Sequence, residues 1–387
     1  MDQSLYYLDY AAATPVDERV FLAMKPYFSE RFFNPSSPYA PAIAVRREYE
    51  EAKSRLAATI GAKGDEIIIT AGATESINLA FKAVTGHVVI SEIEHHAVLR
   101  VAEQYSFSSV KPTLKGIIHA EVVQAAITSE TELVSVQLAN NEIGTIQPIR
   151  DIALVVDKER ARRSEASEER PIYFHCDASQ GFGQIDVNVA RLGVDMLTLN
   201  SGKIYGPKQV AMLWCKPGVE ITPQILGGGQ ERGLRSGTEN VAGVIGFSKA
   251  AELAHKHRKS EGERLMKLRN QVQQKFEQVF GDKVVISGNQ KKRLPGSLHV
   301  SFPGIDGERL VFSLETEGVL LATGSACAAN KGTRSHVLTA IGMSDAEADG
   351  SLRITLGRQS TEESVVAASD IIVKHVLREM NRVSRAS

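Results

Sequence analysis

The chain has 387 residues, a length that predicts two or three structural units at about 100–200 residues per domain. Apolar residues make up 43% of the sequence and charged residues 24%, a balance that excludes wholesale disorder. Lysine and arginine (45) nearly cancel aspartate and glutamate (46), so the composition predicts neither a basic surface for nucleic acid nor an acidic tail.

The chain contains three cysteines, Cys176, Cys215 and Cys327. The odd number and the lack of a C-x-x-C pair argue against a disulfide framework and against a zinc site, so we expect no metal. The first residues show no basic stretch followed by an apolar run, so no signal peptide is expected. No stretch approaches the roughly 18 consecutive apolar residues of a membrane span. We therefore expect a cytoplasmic protein that does not associate with membranes.

Short β-rich runs alternate with amphipathic helical stretches along the chain. The first long helix carries apolar residues at helical spacing from Val45 to Ile60 and is expected to end at Gly61. The runs with the composition of buried strands are EIIIT (66–70), HVVIS (87–91), ELVSVQL (132–138), PIYFH (171–175), VDMLTL (194–199) and VAMLW (210–214). This alternation predicts an α/β fold with a mostly parallel sheet covered on both faces, in which ligands bind at the carboxyl ends of the strands.

A second, smaller α+β unit is expected towards the C-terminus. A stripe of apolar residues from Leu265 to Val279 predicts a long helix that ends at Gly281. The pattern Ser360-x-x-Glu363 predicts a capping box at the start of the last helix. We place the large unit at residues 15–259, and the small unit at residues 1–14 and 260–387.

A charged run interrupts the large unit at residues 158–170 (KERARRSEASEER). Its mixed signs and alanines are typical of an exposed helix end or loop. A docking surface is the alternative.

The residues that directly follow the strands carry the candidate chemistry. Gly72 and Thr74 follow the first strand, where backbone N–H groups at a helix N-terminus would form a phosphate cradle. An ordinary capped turn is the alternative. His95 and His96 follow the second strand, where one ring could stack on an aromatic ligand or be an ordinary surface or core histidine. Adjacent histidines do not share a helix face, so a metal site made of both is not expected.

The next three strand ends carry polar and ionisable side chains. Asn140 and Asn141 could bind a ligand or form a turn. Asp177 stands where an acid pairs with a cationic ring nitrogen of a cofactor, although it could instead cap the following helix. Lys203 lies in a glycine-flanked turn, and a desolvated lysine held in this way suits Schiff-base chemistry.

Two further positions lie late in the chain. Cys327 is surrounded by small and polar residues, the setting of a reactive thiol or of a loop cysteine without a role. Arg353 and Arg358 offer guanidinium groups that could bind a carboxylate. A phosphate cradle, a stacking histidine, an acid and a lysine at successive strand ends together fit pyridoxal 5′-phosphate (PLP), an electron sink bound through a lysine.

A series of motifs runs along nearly the whole chain. They are LDYAAATP, FNPSSP, ITAGATES, EHHAVL, NNEIG, HCDASQ, SGKIYGPK, GGGQERGLRSGT, GSAC and LRITLGR. In these motifs and their order the chain resembles the cysteine desulfurases of the NifS/IscS type, which belong to the class V aminotransferase family of PLP enzymes. The resemblance implies the PLP-dependent transferase fold of type I, with a large PLP-binding domain and a small domain that carries the cysteine loop.

The resemblance also implies a role for each of a set of residues. Lys203 would hold PLP and shuttle protons, His95 would stack on the ring and act as an acid–base group, and Cys327 would attack the substrate sulfur. The other implied cofactor contacts are Ala73, Thr74, Asn141, Asp177, Gln180, Asn200, Ser201 and Thr238, the last reaching the phosphate in the other subunit of a homodimer. The implied substrate contacts are Asn34, Asn141 and Arg353.

The chain departs from the family pattern next to the lysine. The family usually has Ser-x-His-Lys, whereas this chain has Asn200-Ser201-Gly202-Lys203, so Gly202 replaces a histidine that helps to hold the phosphate. Gln209 stands where a glycine is common. We expect weaker cofactor binding or a changed phosphate geometry.

The resemblance predicts an enzyme that converts L-cysteine to L-alanine through a persulfide on Cys327. The sulfur would pass to an acceptor protein for iron–sulfur cluster assembly or tRNA thiolation. The alternatives are a selenocysteine lyase, another class V lyase or aminotransferase, and a degenerate, non-catalytic family member that acts as a scaffold. Cys327 argues against an aminotransferase because transamination needs no thiol.

Overall fold

The structure, a computed structural model, describes residues 5–324 and 334–386. The strands are β1 (Tyr6–Tyr7), β2 (Ile67–Thr70), β3 (His87–Ser91), β4 (Phe107–Val110), β5 (Thr131–Ser135), β6 (Tyr173–Asp177), β7 (Met196–Asn200), β8 (Ala211–Cys215), β9 (Val285–Ile286), β10 (Ser297–Ser301), β11 (Val319–Leu320) and β12 (Ser351–Thr355). The α-helices are α1 (Glu18–Met24), α2 (Pro26–Ser29), α3 (Ala40–Ala58), α4 (Ala73–Phe81), α5 (His96–Ala102), α6 (Ala120–Ala126), α7 (Ile149–Glu165), α8 (Val189–Leu192), α9 (Val241–Phe280), α10 (Gly307–Glu315), α11 (His336–Ala340), α12 (Asp345–Asp349) and α13 (Glu362–Ala386).

A seven-stranded sheet forms the centre of the large unit, in the order β2-β8-β7-β6-β5-β3-β4. The pairs among β4, β3, β5, β6 and β7 are parallel, whereas β8 runs antiparallel to both β7 and β2. Helices cover the sheet, and the strands other than the edge strand β4 are buried and mostly apolar. The predicted α/β fold with a mostly parallel sheet is confirmed. The edge strand β4 was not predicted, because its sequence FSSV contains no apolar run.

Two small sheets lie outside the large one. In the first, β10 pairs antiparallel with both β12 and β9. In the second, β1 pairs in parallel with β11, which attaches the N-terminal segment to the C-terminal part of the chain. Among the helices of the described residues, none is both long and apolar enough to cross a bilayer.

The apolar side chains of the small unit form a cluster of their own, to which Leu8 and residues 265–376 contribute. The cluster around the large sheet ends along α9 at Ala254, so the two clusters meet within this 40-residue helix. The proposed division at 259/260 lies between these two clusters and falls inside a helix rather than in a linker. Val337, Leu338 and Ile341 also pack into the large-unit core, although they come late in the chain.

Two details of the helix predictions were wrong. Val279 was expected in the apolar stripe of α9 but is 44% exposed, and Phe280 fills the core instead. The cap of α13 starts one residue later than expected, because Thr361 and Ser364 exchange hydrogen bonds between their side-chain oxygens and backbone N–H groups. Ser360 instead accepts a hydrogen bond from the backbone N–H of Gly357.

The charged run 158–170 forms the end of α7 and the turn after it. Arg162 pairs with Glu159 and Glu168, and Arg163 is buried against the carbonyl oxygens of the following turn. The charges of the run therefore compensate one another locally, as expected for a helix end, and nothing in these contacts favours a docking surface.

Candidate active site

A cavity of about 290 Å³ lies between the carboxyl ends of the large-sheet strands and the small unit. Most of the predicted site residues line it; they are Ala73, Thr74, His95, Asn141, Asp177, Gln180, Asn200, Lys203 and Arg353. The other lining residues include His96, which the sequence offered as an alternative to His95. The rest were not predicted; they are Ala11, Ala12, Gln137, Ala139, Glu142, Ser179 and His336.

One end of the cavity is formed by the turn between β2 and α4. The helix begins at Ala73, so its first backbone N–H groups and the positive end of its dipole face the cavity, where Ala73 and Thr74 are lining residues. A Cβ placed on Gly72 would meet no atom within 4 Å, so open space lies beside this turn. Ser76, a further hydroxyl residue in the first turn of α4, is bound elsewhere, since its buried hydroxyl lies 2.7 Å from that of Thr70.

Lys203 occupies a 3-10 turn that directly follows β7. Its Nζ donates to the carbonyl oxygens of Ala11 (2.8 Å) and Ala12 (2.7 Å). Gln180 donates from Nε2 to the same Ala11 oxygen over 3.0 Å. The N-terminal LDYAAATP segment therefore forms a wall of the cavity and orients the lysine. The sequence of this motif does not predict its role, because its contacts are made by backbone atoms.

Asp177 is the last residue of β6, because the strand ends two residues later than the predicted run 171–175. Its Oδ1 accepts a hydrogen bond from the backbone N–H of Ser179 over 3.0 Å, and the side chain lines the cavity. The carboxylate therefore fixes the next turn and also lines the cavity, and its pairing with a cofactor ring nitrogen stays a prediction. Asn200 behaves similarly, because its Oδ1 accepts from the backbone N–H of Gly202 over 3.0 Å.

His95 is the N-cap of α5, and its Nδ1 accepts from the backbone N–H of Ala97 over 3.1 Å. Because Nδ1 is an acceptor, the neutral ring carries its proton on Nε2. Burial lowers the pKa of His95, while the Asp177 carboxylate acts in the opposite direction. His336 approaches from α11, with its ring centroid 4.8 Å from that of His96 and its Nε2 2.9 Å from the Glu94 carbonyl oxygen.

Arg353 comes from β12 of the small unit and is 3% exposed. Its Nη2 forms an ion pair with Asp9 over 2.7 Å, and its Nη1 lies 3.4 Å from the carbonyl oxygen of Asn141. Arg358 does not reach this cavity. Its guanidinium stacks 4.3 Å from the ring centroid of Tyr205 instead. Of the two arginines noted in the sequence, the structure places Arg353 at the cavity.

Three predicted site residues do not line the cavity, and a fourth cannot be placed. Asn34 is exposed, and its Oδ1 accepts from the backbone N–H of Ser36 over 2.9 Å. Ser201 is buried away from the cavity. Thr238 is exposed and lines a separate cavity of about 220 Å³. Cys327 lies outside the described residues.

The other two cysteines are poor candidates for a reactive thiol. Cys176 and Cys215 are free and buried. Burial raises the pKa of the Cys176 thiol, and it raises the pKa of the Cys215 thiol to about 12. Because the thiolate is the nucleophilic form, neither residue is competent near neutral pH. In the stretches 5–324 and 334–386, no three histidine, cysteine, aspartate or glutamate side chains come together as a metal site.

Comparison with known families decides the relationship of this chain. The sequence model of the family described as "Aminotransferase class-V" matches residues 6–367. The chain belongs to the class-V aminotransferase family. Members of this family use PLP, and the predicted fold of type I is confirmed by the structural similarities below.

Individual relatives within the class-V family carry more specific names. A protein from Archaeoglobus fulgidus named "Cysteine desulfurase IscS 1" is 41% identical, with 98% of this chain and 99% of that protein covered. The solved structure titled "NIFS-LIKE PROTEIN" superposes with a TM-score of 0.87 at 32% identity, over 96% of this chain and 99% of the other. The structure titled "SspA in complex with cysteine" superposes with a TM-score of 0.76 at 35% identity, over 91% and 98% of the two chains.

The cavity of this class-V family member fits PLP. The open space beside Gly72 at the N-terminus of α4 suits a phosphate. Asp177 supplies the carboxylate for a ring nitrogen, and Lys203 supplies the amine. The cavity volume of about 290 Å³ lies just below the roughly 300–1,000 Å³ of small-molecule pockets.

Proposed function

We propose that the protein is a PLP-dependent cysteine desulfurase, which converts L-cysteine to L-alanine and leaves the sulfur as a persulfide on Cys327. The observation that carries the proposal is the meeting of Lys203, Asp177 and Arg353 in one cavity. The names of relatives at 36–41% identity point to the same activity.

Different residues of the cavity are assigned to the cofactor and to the substrate. Lys203 would hold PLP through Nζ, Asp177 would face its ring nitrogen, and Ala73 and Thr74 would bind its phosphate. When bound, PLP supplies an electron sink for the pair released at the substrate carbon. Arg353 would bind the substrate carboxylate, because guanidinium groups recognise carboxylates through two parallel hydrogen bonds. Its ion pair with Asp9 fixes the guanidinium before the substrate arrives.

Proton transfers are assigned to Lys203 and His95. Lys203 Nζ, once released from the cofactor, would move the proton of the substrate Cα. His95 is held neutral by burial, with the proton on Nε2, so this nitrogen can donate to the substrate and then take a proton back.

The sulfur transfer is assigned to Cys327. Its thiolate attacks the substrate sulfur, the sulfur–sulfur bond forms, and the carbon–sulfur bond of the substrate breaks. The electron pair of that bond stays on the substrate Cβ, which takes up a proton to give L-alanine. The transferred sulfur is oxidised as the carbon is reduced, so no external oxidant is required. Cys327 is favoured because burial raises the thiol pKa of both other cysteines.

The alternatives are less well supported. The cysteine desulfurase names of the relatives offer nothing in favour of a selenocysteine lyase or an aminotransferase. A degenerate scaffold would have no need to keep Lys203, Asp177, His95 and Arg353 together in one cavity.

A homodimer and a sulfur acceptor complete the proposal. Thr238 is exposed at the end of the glycine-rich segment 227–238, where it would reach the phosphate site of a second copy. Phe28 (64%), Phe32 (66%) and Leu226 (78%) are exposed apolar side chains that a second copy would cover. The acceptor would be a protein of iron–sulfur cluster assembly or of tRNA thiolation. Because the reaction needs a free thiol, we place the enzyme in the cytoplasm.

The test compares Cys327→Ala with Cys215→Ala, a matched variant of a buried thiol. Purified wild-type protein should show a visible cofactor absorption that shifts with L-cysteine, and it should release L-alanine. Cys327→Ala should keep the absorption and its shift but stop alanine release, whereas Cys215→Ala should still release alanine. Alanine release by Cys327→Ala at the wild-type rate would exclude the persulfide mechanism, and wild-type protein without a cofactor band in excess PLP would favour the scaffold.

A further inference from the structure

We propose that Tyr205 is a positioning residue for Lys203, acting through its contact with Arg358 of the small unit. The inference rests on the proposed function, in which Lys203 moves the proton of the substrate Cα and Arg353 binds the substrate carboxylate. One substrate must reach both groups at once, although they come from different units of the chain. The spacing between the two units therefore has to be fixed close to Lys203.

The backbone of Tyr205 is held in an unusual conformation two residues after Lys203. Its φ is +67°, in the left-handed region that residues other than glycine rarely adopt. Its backbone N–H donates to Thr14 Oγ1 over 2.8 Å, and its carbonyl oxygen accepts from the backbone N–H of Asp17 over 2.9 Å. Hydrogen bonds from the start of the chain therefore determine this conformation from both sides of the residue.

The side chain of Tyr205 contacts the small unit at Arg358. Its hydroxyl oxygen accepts from the backbone N–H of Arg358 over 2.6 Å, and the Arg358 guanidinium lies 4.3 Å from the ring centroid. The same guanidinium pairs with the Asp17 carboxylate over 3.1 Å. Because Asp17 also holds the Tyr205 carbonyl oxygen, these three residues form a closed set of contacts. The set joins the lysine turn, the start of the chain and the small unit.

The chain between Arg353 and Arg358 is also held in place. Arg353 lies in β12, which is paired with β10 along its whole length. Just beyond β12, Arg264 of α9 donates through Nη2 to the carbonyl oxygens of Gly357 (3.1 Å) and Arg358 (3.4 Å). The residues from 353 to 358 thus connect the guanidinium assigned to the substrate carboxylate with the ring of Tyr205.

The contact lies directly beside the lysine. A small cavity of about 50 Å³ is lined by Lys203, Tyr205 and Arg358 together, and Lys203 also lines the large cavity with Arg353. Loss of the Tyr205–Arg358 contact would consequently change the distance between the lysine amine and a substrate bound to Arg353. A misplacement of about 1 Å at a reacting centre can cost about 100-fold in rate.

Two substitutions remove the contact from its two sides. Tyr205→Asn removes the ring and the hydroxyl acceptor, and asparagine tolerates the left-handed conformation better than most residues. Arg358→Met removes the guanidinium but keeps a long side chain and the backbone N–H. Tyr105→Asn is the matched control, since Tyr105 is also half-buried and its hydroxyl donates to a backbone group, the Phe81 carbonyl oxygen, over 2.9 Å. Phe81 is the last residue of α4, whose other end lies at the cavity.

The assay follows the exchange of the Cα hydrogen of L-alanine for deuterium in D₂O by proton NMR, with rates normalised to the bound cofactor measured by visible absorption. This exchange requires PLP and Lys203 but no sulfur transfer. Tyr205→Asn should lower the exchange rate at saturating alanine by about 10- to 100-fold. The half-saturating alanine concentration should stay near the wild-type value, because Arg353 is intact. Arg358→Met should lower the rate by a smaller factor, and Tyr105→Asn should exchange at the wild-type rate.

A second measurement needs no bound cofactor. In the apoprotein, hydrogen bonds to the carbonyl oxygens of Ala11 and Ala12 hold Lys203 Nζ. Acylation of this amine by acetic anhydride, followed at Lys203 by mass spectrometry, reports how firmly it is held. Tyr205→Asn should raise the acylation rate, whereas Tyr105→Asn should not. A merely structural role of Tyr205 would lower stability or cofactor content and leave the normalised exchange rate and the acylation rate unchanged.

The double variant decides whether Tyr205 and Arg358 act as one unit. Tyr205→Asn with Arg358→Met should exchange no more slowly than Tyr205→Asn alone, because the effects of residues in one contact are not additive. Losses that multiply overturn the proposal, as does a wild-type exchange rate in folded Tyr205→Asn. If Tyr205→Asn does not fold, Arg358→Met decides, and a wild-type rate there refutes the role. Absence of exchange in wild-type protein supplied with PLP would instead refute the proposed function itself.

Discussion

Gly202 offers a direct test of how this chain holds its cofactor phosphate. The family usually places a histidine at this position, next to the lysine. A Cβ on Gly202 would lie 3.5 Å from Asn200 Oδ1 and 3.7 Å from Lys208 Cγ, both ordinary contacts, and its backbone has no left-handed conformation. The backbone therefore accepts a side chain. A histidine that donates to the phosphate should stabilise the complex by about 1.5–3 kcal/mol, or roughly 10- to 100-fold in Kd.

The assay is a titration of the apoprotein with PLP, followed by visible absorption. Gly202→His should lower the Kd for PLP, while Gly202→Ala should leave it near the wild-type value because alanine adds only the Cβ. Gly206→Ala is a control for steric damage, since its Cβ would collide with the Ser201 hydroxyl. If folded Gly202→His binds PLP no more tightly than Gly202→Ala, the prediction is wrong. Asn200 and the N-terminus of α4 would then already supply the phosphate hydrogen bonds that the histidine was expected to add.

Two predictions concern stability. Lys53 and Glu231 form a buried ion pair over 2.9 Å that links α3 to the glycine-rich segment, and Glu231 also accepts from Tyr49 and from the backbone N–H of Ile69. In urea denaturation, Lys53→Met should cost about 3–5 kcal/mol by leaving Glu231 unpaired, and Lys53→Met with Glu231→Gln should recover part of this loss; a double variant no more stable than the single one would exclude this reasoning. The pKa of His299 is lowered to about 3, chiefly by burial, so the folded protein keeps this ring neutral while the unfolded chain protonates it below pH 6.5. Stability should therefore fall as the pH drops from 6.5 to 5, and His299→Asn should remove up to about 2 kcal/mol of that fall; an unchanged pH dependence in this variant would contradict it.

The fold could be predicted where the pattern was local. The strands with continuous apolar runs were found, because a buried parallel strand needs such residues on both faces. β4 was missed because its position at the sheet edge leaves Phe107 and Ser109 exposed. The cap of α13 was misplaced because Ser360 and Thr361 both offer a hydroxyl, and only the tertiary contact of Ser360 with Gly357 decides between them.

The lining residues at strand ends could also be predicted. Once the strands are known to be parallel, the topology of the sheet brings their carboxyl ends together. The contributions of Ala11 and Ala12 could not, because they come from backbone oxygens of a segment far from Lys203 in the chain. His336 was missed because nothing in the sequence near it shows that α11 packs onto the large unit.

Gln209 departs from the family sequence at a position whose backbone conformation is unfavourable for most residues. Its φ is +57°, in the left-handed region that favours glycine, and the family commonly has glycine there. The chain therefore carries glutamine at a position whose backbone conformation suits glycine best. Strained residues of this kind cost on the order of 1–3 kcal/mol and persist where surrounding contacts determine the backbone. Contacts on either side of Gln209 supply that constraint. Lys208 Nζ donates to the carbonyl oxygen of Thr14, and the Val210 carbonyl oxygen accepts from the backbone N–H of Ser201 over 3.2 Å. Thr14 Oγ1 also donates to the carbonyl oxygen of Gly202 over 3.1 Å, so the N-terminal segment that orients the Lys203 amine also holds the turn that carries it.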